Sequence, residues 1–177
     1  MDRKIYGIFV AGGSGTRMGG NIPKQFLNLG GKVILQRTVE RFLEAVPDMQ
    51  VIIVLPRQHF STWKDICVRG SLYCPQTLVP GGMTRFHSVR NALEKVPDGA
   101  IVSIHDGVRP LVSRELIVEM AGRMQSVPAM IPVVPVVDTL RSRDPSSPSP
   151  DRSALVAVQT PQMFWSEQIR NAYTQAY

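Results

Sequence analysis

The sequence predicts an α/β fold: a doubly wound, mostly parallel sheet with helices on both faces. Three observations predict it. Near-continuous apolar runs rich in β-branched residues recur along the chain, as in strands covered on both faces. Amphipathic stretches with helical spacing lie between those runs. Glycine-rich or charged clusters follow the strand ends at 11–24, 80–88 and 105–110, where ligands bind in open α/β sheets.

The elements follow in order. "IYGIFVA" (5–11), "VIIVLP" (51–56), "AIVSIHD" (100–106) and "AMIPVVPVV" (129–137) read as strands. "ILQRTVERFLEAV" (34–46) sets Ile34, Leu35, Val39, Phe42, Leu43 and Val46 on one helical stripe. A helix spans 57–69, and "TRFHSVRNALEKV" (84–96) does the same with Phe86, Val89, Leu93 and Val96, Thr84 serving as its N-cap. "SRELIVEMAGRM" (113–124) opens on Ser113, a good N-cap residue. "RSRDPSSPSPDRS" (141–153) is Pro- and Ser-rich with mixed charge, a flexible loop or a projecting arm and not core. The helical pattern at 166–177 stops without a cap or polar tail, which suggests a continuation.

Length and composition bound the function. The 177 residues suit one domain, and 44% hydrophobic with 19% charged residues describes an ordinary globular chain. A net charge of +6 favours anionic partners, but no Lys/Arg run exceeds two residues and aromatics are 7%, so a nucleic-acid surface is not expected. Cys67 and Cys74 match neither a zinc nor a redox spacing and read as reduced thiols of a cytoplasmic protein. The basic start and the apolar run 5–11 form a first strand; no secretion signal or membrane partner is expected.

"VAGGSGTRMGGNIPKQF" (10–26) is the sharpest signal. Glycines let backbone N–H groups approach a ligand, and a string of such groups binds anions. A Walker loop would end in Gly-Lys-Ser/Thr, which is missing. A dinucleotide fingerprint needs a small residue where Met18 stands, and an acid where the second strand ends in Leu55-Pro56. A nucleotidyltransferase loop remains, with Arg17 and Lys24 reaching phosphates that the loop cradles. The bland alternative is a tight turn carrying two solvated cations.

"AGGSGTRMGGNIPKQF", "PGGMTRFHSVRNAL", "SIHDGVRPLVS", "VPVVDTL" and "VQTPQMF" together resemble the 2-C-methyl-D-erythritol 4-phosphate cytidylyltransferase family, in that family's order and over nearly the whole chain. The resemblance implies a Rossmann-like nucleotidyltransferase fold. It implies a cytidylyl transfer from CTP to a sugar-alcohol phosphate in non-mevalonate isoprenoid biosynthesis. Arg17, Lys24 and Arg152 would be its catalytic cations. Ala11, Gly12, Gly13, Gly15, Gly82 and Ser88 would bind the nucleotide, with Gly82 and Ser88 near the cytosine. Arg109, Thr139 and Thr160 would meet the acceptor, and Asp106 would hold Mg²⁺ or another divalent cation. An arm at about 138–160 would cross to a second subunit of a homodimer. Gly107 stands where the family usually has alanine. Family members continue past 177 into a segment bearing a substrate-contacting lysine.

On the residues alone, Asp106 could equally cap a turn and pair with Arg109. His105 reads as structural, because a phosphate monoester is already ionised at neutral pH and the reaction needs no base. Two rivals stand beside this reading: ribitol-5-phosphate cytidylyltransferase, which differs in the acceptor, and a non-catalytic nucleotide-binding domain.

Overall fold

Alternation of the apolar runs organises the molecule. The computed structural model describes residues 2–13, 22–144 and 146–176. Its strands and helices are, in order, β1 (Ile5–Val10), β2 (Asn28–Leu29), β3 (Lys32–Val33), α1 (Ile34–Ala45), β4 (Gln50–Leu55), α2 (Phe60–Arg69), β5 (Gln76–Pro80) and α3 (Arg85–Leu93). Then follow β6 (Ile101–Asp106), α4 (Arg114–Arg123), β7 (Ala129–Met130), β8 (Val133–Pro135), β9 (Val156–Val158), β10 (Gln162–Trp165) and α5 (Ser166–Gln175).

Six strands form one sheet in the order β5-β4-β1-β6-β10-β7. β5, β4, β1 and β6 run parallel, and β10 enters antiparallel to both β6 and β7. Successive side chains point to opposite faces. Phe9, Val51, Ile53, Leu55 and Ile101 therefore pack on one side with Leu35, Val39 and Phe42 of α1, Trp63 of α2 and Ile117 of α4. Ile8, Ile52, Val54, Val102 and Ile104 pack on the other with Val89, Ala92 and Leu93 of α3, and with Ile169 and Tyr173 of α5. Both faces are covered, which is why the runs read as continuous apolar sequence. Two helix starts carry the expected caps: Thr84 Oγ1 accepts from the His87 N–H at 3.4 Å, and Ser113 Oγ from the Leu116 N–H at 3.2 Å.

Three expectations need correction. The run 129–137 is not one strand. It gives β7 to the main sheet, breaks at Pro132, and resumes as β8 in a separate two-stranded ribbon with β9. Proline has no N–H to donate, so the ladder between β7 and β10 is not carried past it. The segment 57–69 is helical only from Phe60, after a 3₁₀ turn Arg57–His59 that follows Pro56. The third helix ends at Leu93 instead of 96. The sheet also gains two short strands that apolar periodicity did not mark, β5 at one edge and β10 beside β6.

Candidate active site

β1 connects through α1 to β4 on one side, while β6 lies on its other side. That reversal is a topological switch point, and a crevice opens at the carboxyl ends of the strands there. Backbone bonds set its walls. The N–H of Gly107 donates to the Val10 carbonyl at 2.9 Å, that of Ala11 to Val54 at 2.9 Å, and that of Gly81 to Leu55 at 3.0 Å. Each loop thus leaves its strand still in register with the sheet.

The crevice is a cleft of about 570 Å³. Ala11, Gly12, Gly13, Lys24, Gln25, Gly82, Met83, Thr84, Arg85, Ser88 and Asp106 line it. Six residues expected at the nucleotide from sequence (Ala11, Gly12, Gly13, Lys24, Gly82 and Ser88) therefore share one cavity with Asp106. Gly15 and Arg17 lie outside the described residues.

Local chemistry fixes each wall. Pro23, with φ −57°, starts a 3₁₀ turn that places Lys24 at the rim, exposed. The next residue, Gln25, is buried, and its Nε2 has no partner among the described residues. Across the cleft, the Gly82 N–H donates to the buried Ser88 Oγ at 3.0 Å. A Cβ on Gly82 would come within 2.4 Å of His87 Cβ, so the loop closes against α3 only because that side chain is absent.

Asp106 stands between two guanidinium groups. Arg109 Nε meets Oδ2 at 2.9 Å and an Arg85 nitrogen meets Oδ1 at 3.3 Å. The pairing that sequence offered as an alternative is present, and the carboxylate still faces the cleft. Arg109 also donates to Gln159 Oε1 at 2.9 Å. A second cleft of about 450 Å³ adjoins the first through Val108, lined among others by Arg109, Gln159 and Thr160. Thr160 Oγ1 is buried there with no partner among the described residues.

His105 lies behind Asp106, buried, with its ring 4.7 Å from that of Phe42. Burial lowers its pKa to about 4, so it is a neutral imidazole at pH 7, with Nε2 3.0 Å from the Arg109 carbonyl. Thr139 and Arg152 are exposed and are not among the residues lining either cleft; Arg152 donates to the Val137 carbonyl at 3.0 Å. Among the described residues no three His, Cys, Asp or Glu side chains group as a metal site. Asp106 is the one acid among the described residues lining the first cleft.

The profile of the 2-C-methyl-D-erythritol 4-phosphate cytidylyltransferase family matches residues 5–177. The chain belongs to this family. The family member from Phocaeicola vulgatus is 46% identical over 178 residues, spanning 100% of this chain and 80% of the relative. The one from Porphyromonas gingivalis strain W83 is 44% identical, spanning 100% and 79%. A crystal structure of 4-diphosphocytidyl-2C-methyl-D-erythritol synthase from Anaerococcus prevotii superposes with a TM-score of 0.81 at 27% identity, over 98% of this chain and 75% of that one.

Within the cytidylyltransferase fold, three polar residues stand at the site without a role from sequence: Gln25, Arg85 and Gln159. Arg85 had a signal, since it opens the helix that carries Ser88 one turn later. Gln25 and Gln159 lie in the resembling motifs but drew no role, because a polar side chain in a polar loop reads as solvated until its burial is known.

Proposed function

We propose that this chain transfers a cytidylyl group from CTP to 2-C-methyl-D-erythritol 4-phosphate, releasing pyrophosphate. A phosphate oxygen of the acceptor attacks the α-phosphorus of CTP. The bond from that phosphorus to the bridging oxygen breaks, and pyrophosphate leaves with the electron pair. The acceptor phosphate carries about −1.5 to −2 charge at neutral pH, so no proton has to be removed from it. The barrier is the meeting of two polyanions, and catalysis is positioning plus fixed positive charge.

The observation that carries this reading is the pair of adjoining clefts. The first gathers Gly12, Gly13, Lys24, Gly82, Ser88 and Asp106; the second holds Arg109, which pairs with Asp106, and Thr160. In this reading Lys24 and Arg17 meet the triphosphate, and the backbone of Ala11, Gly12, Gly13 and Gly15 cradles it. Gly82 and Ser88 read the edge of the cytosine, where a hydroxyl and backbone groups reject bases lacking the matching donors. Arg109 and Thr160 meet the acceptor.

A single carboxylate suits Mg²⁺, which is usually held by one or two carboxylates plus substrate phosphates. Asp106 fits that role for a cation arriving with CTP, and its two oxygens retain lone pairs beside the arginines. Bound there, the cation would neutralise charge on the triphosphate oxygens.

The chain also works as a homodimer in this reading. Thr139 and Arg152 are exposed and line neither cleft, which fits an arm that carries them to the site of a second copy. Two free thiols favour a cytoplasmic setting. No helix among the described residues is long and apolar enough to cross a membrane.

Pyrophosphate release from CTP, measured with methylerythritol phosphate and separately with ribitol 5-phosphate, tests the proposal. Turnover should appear with the first acceptor; faster turnover with ribitol phosphate, or release with neither, overturns it.

A further inference from the structure

Arg85 has no part in the reaction described above, yet it reaches the centre of the site. It is the first residue of α3, straight after the Thr84 cap, and it lines the nucleotide cleft. Its guanidinium meets Oδ1 of Asp106 at 3.3 Å, while Arg109 holds Oδ2 at 2.9 Å from the other side. Arg109 is itself held by Gln159 at 2.9 Å. The carboxylate is thus gripped at both oxygens. The terminal torsion of an aspartate is broad, so without such a grip its plane is poorly defined. The two grips differ in origin. Arg109 lies three residues from Asp106 on the same loop. Arg85 comes from another element, and its contact ties the plane of the carboxylate to the wall built by α3.

We propose that Arg85 is a positioning residue for the cytidylyl transfer, fixing the orientation in which Asp106 meets the triphosphate and its cation. The inference rests on the reading of Asp106 given above. Arg85 is 45% exposed and Asp106 26%, so the effect is that of a partly solvated ion pair.

Calorimetric titration of CTP with Mg²⁺ and no acceptor tests it, on the whole chain and on Arg85→Ala, Arg85→Lys, Asp106→Asn and the double variant Arg85→Ala/Asp106→Asn. Arg85→Ala should weaken CTP about fivefold, the upper end for such a pair. Arg85→Lys should recover part of the loss, since it keeps the charge without the planar fork. In the double variant the Arg85→Ala loss should vanish, because the effect runs through Asp106. Wild-type affinity in Arg85→Ala, or losses that simply add in the double variant, overturns the inference while leaving the role of Asp106 intact. Unchanged affinity in Asp106→Asn removes that role and the inference with it.

Discussion

The loops lining the first cleft continue the ladder of the sheet, whereas the β8–β9 ribbon stands on three paired residues from each strand. At the cleft, Ala11, Gly81 and Gly107 bond to the neighbouring strand, and the residues beneath them are buried on both faces. On the ribbon, Val133, Val134, Val156 and Val158 stay 46–57% exposed. Register puts Val133, Pro135, Val156 and Val158 on one side. An isolated two-stranded ribbon is marginal in water. The cleft is therefore a product of this chain's own core, and the ribbon offers an apolar face that the chain leaves uncovered. Substitutions in the two regions should separate chemistry from assembly.

The largest expected effect belongs to the cleft. Lys24 is exposed at its rim and outside the packed core, so Lys24→Ala should leave the fold intact. Removing one charge-stabilising donor typically costs about 10²–10³ in rate. Turnover of CTP should fall by that factor in Lys24→Ala, and likewise in Arg17→Ala, with unchanged melting temperatures. Wild-type turnover in both variants would remove the electrostatic mechanism.

Gly82→Ala comes next. The added Cβ would meet His87 Cβ at 2.4 Å and the His87 carbonyl carbon at 3.0 Å, so loop and helix must separate. Overpacking of this kind costs about 1–3 kcal/mol. It should also lengthen the Gly82 N–H to Ser88 bond, and so weaken CTP binding beyond the loss in stability. Comparing the affinity for CTP with that for UTP reads this directly: discrimination should drop in Gly82→Ala if the bond shapes the base pocket.

The same contrast explains what the sequence could reveal. β1, β4 and β6 were legible because burial on both faces leaves a continuous apolar run, and α1 because its stripe packs on one face. The glycine and Asp106 clusters were legible because the sheet rule places them at strand ends. β10 was not: only Met163 of its four residues is fully buried, so no run announces it. The run 129–137 misled because its valines satisfy a strand pattern while Pro132, without an N–H, divides it into two short strands. The role of Gln159 depends on its bond to Arg109, fifty residues away, which no local pattern encodes. Arg152 and Thr139 came from resemblance alone, and both lie in the chain between β8 and β9.

A smaller effect concerns the clasp at the far end of β10. Glu167 is the second residue of α5, and its own backbone N–H is the main cause that lowers its pKa to about 2. Arg3 at 2.8 Å, the Gly99 N–H at 3.2 Å and the Ser166 hydroxyl at 3.1 Å add to this. The folded pKa lies below the unfolded value, so the stability is present above about pH 4.5 and fades as the pH falls toward 2. Glu167→Gln should melt earlier than wild type at pH 7, and the two should converge near pH 2. The cleft lies at the opposite end of the strands, so CTP affinity at pH 7 should not move.

The smallest effect on the chain itself is expected on the ribbon. Val156 is 57% exposed and pairs with Pro135 at the outer end of the ladder. Val156→Ser removes little buried surface, and substitutions at such positions usually stay within about 0.5 kcal/mol. Urea unfolding of the variant at low protein concentration, where a dimer would dissociate, should therefore match wild type. Association is another matter. If a second copy covers the face formed by Val133, Pro135, Val156 and Val158, a polar side chain at its edge loses apolar burial in both protomers of a symmetric pair. Sedimentation at rising concentration should then show the variant associating more weakly than wild type. Turnover should fall in step with dissociation, because Arg152 and Thr139 would no longer be delivered to the acceptor cleft. An unaltered sedimentation profile in Val156→Ser and in the harsher Val156→Asp would mean that the ribbon meets no second copy, and both residues would then have to be reassigned.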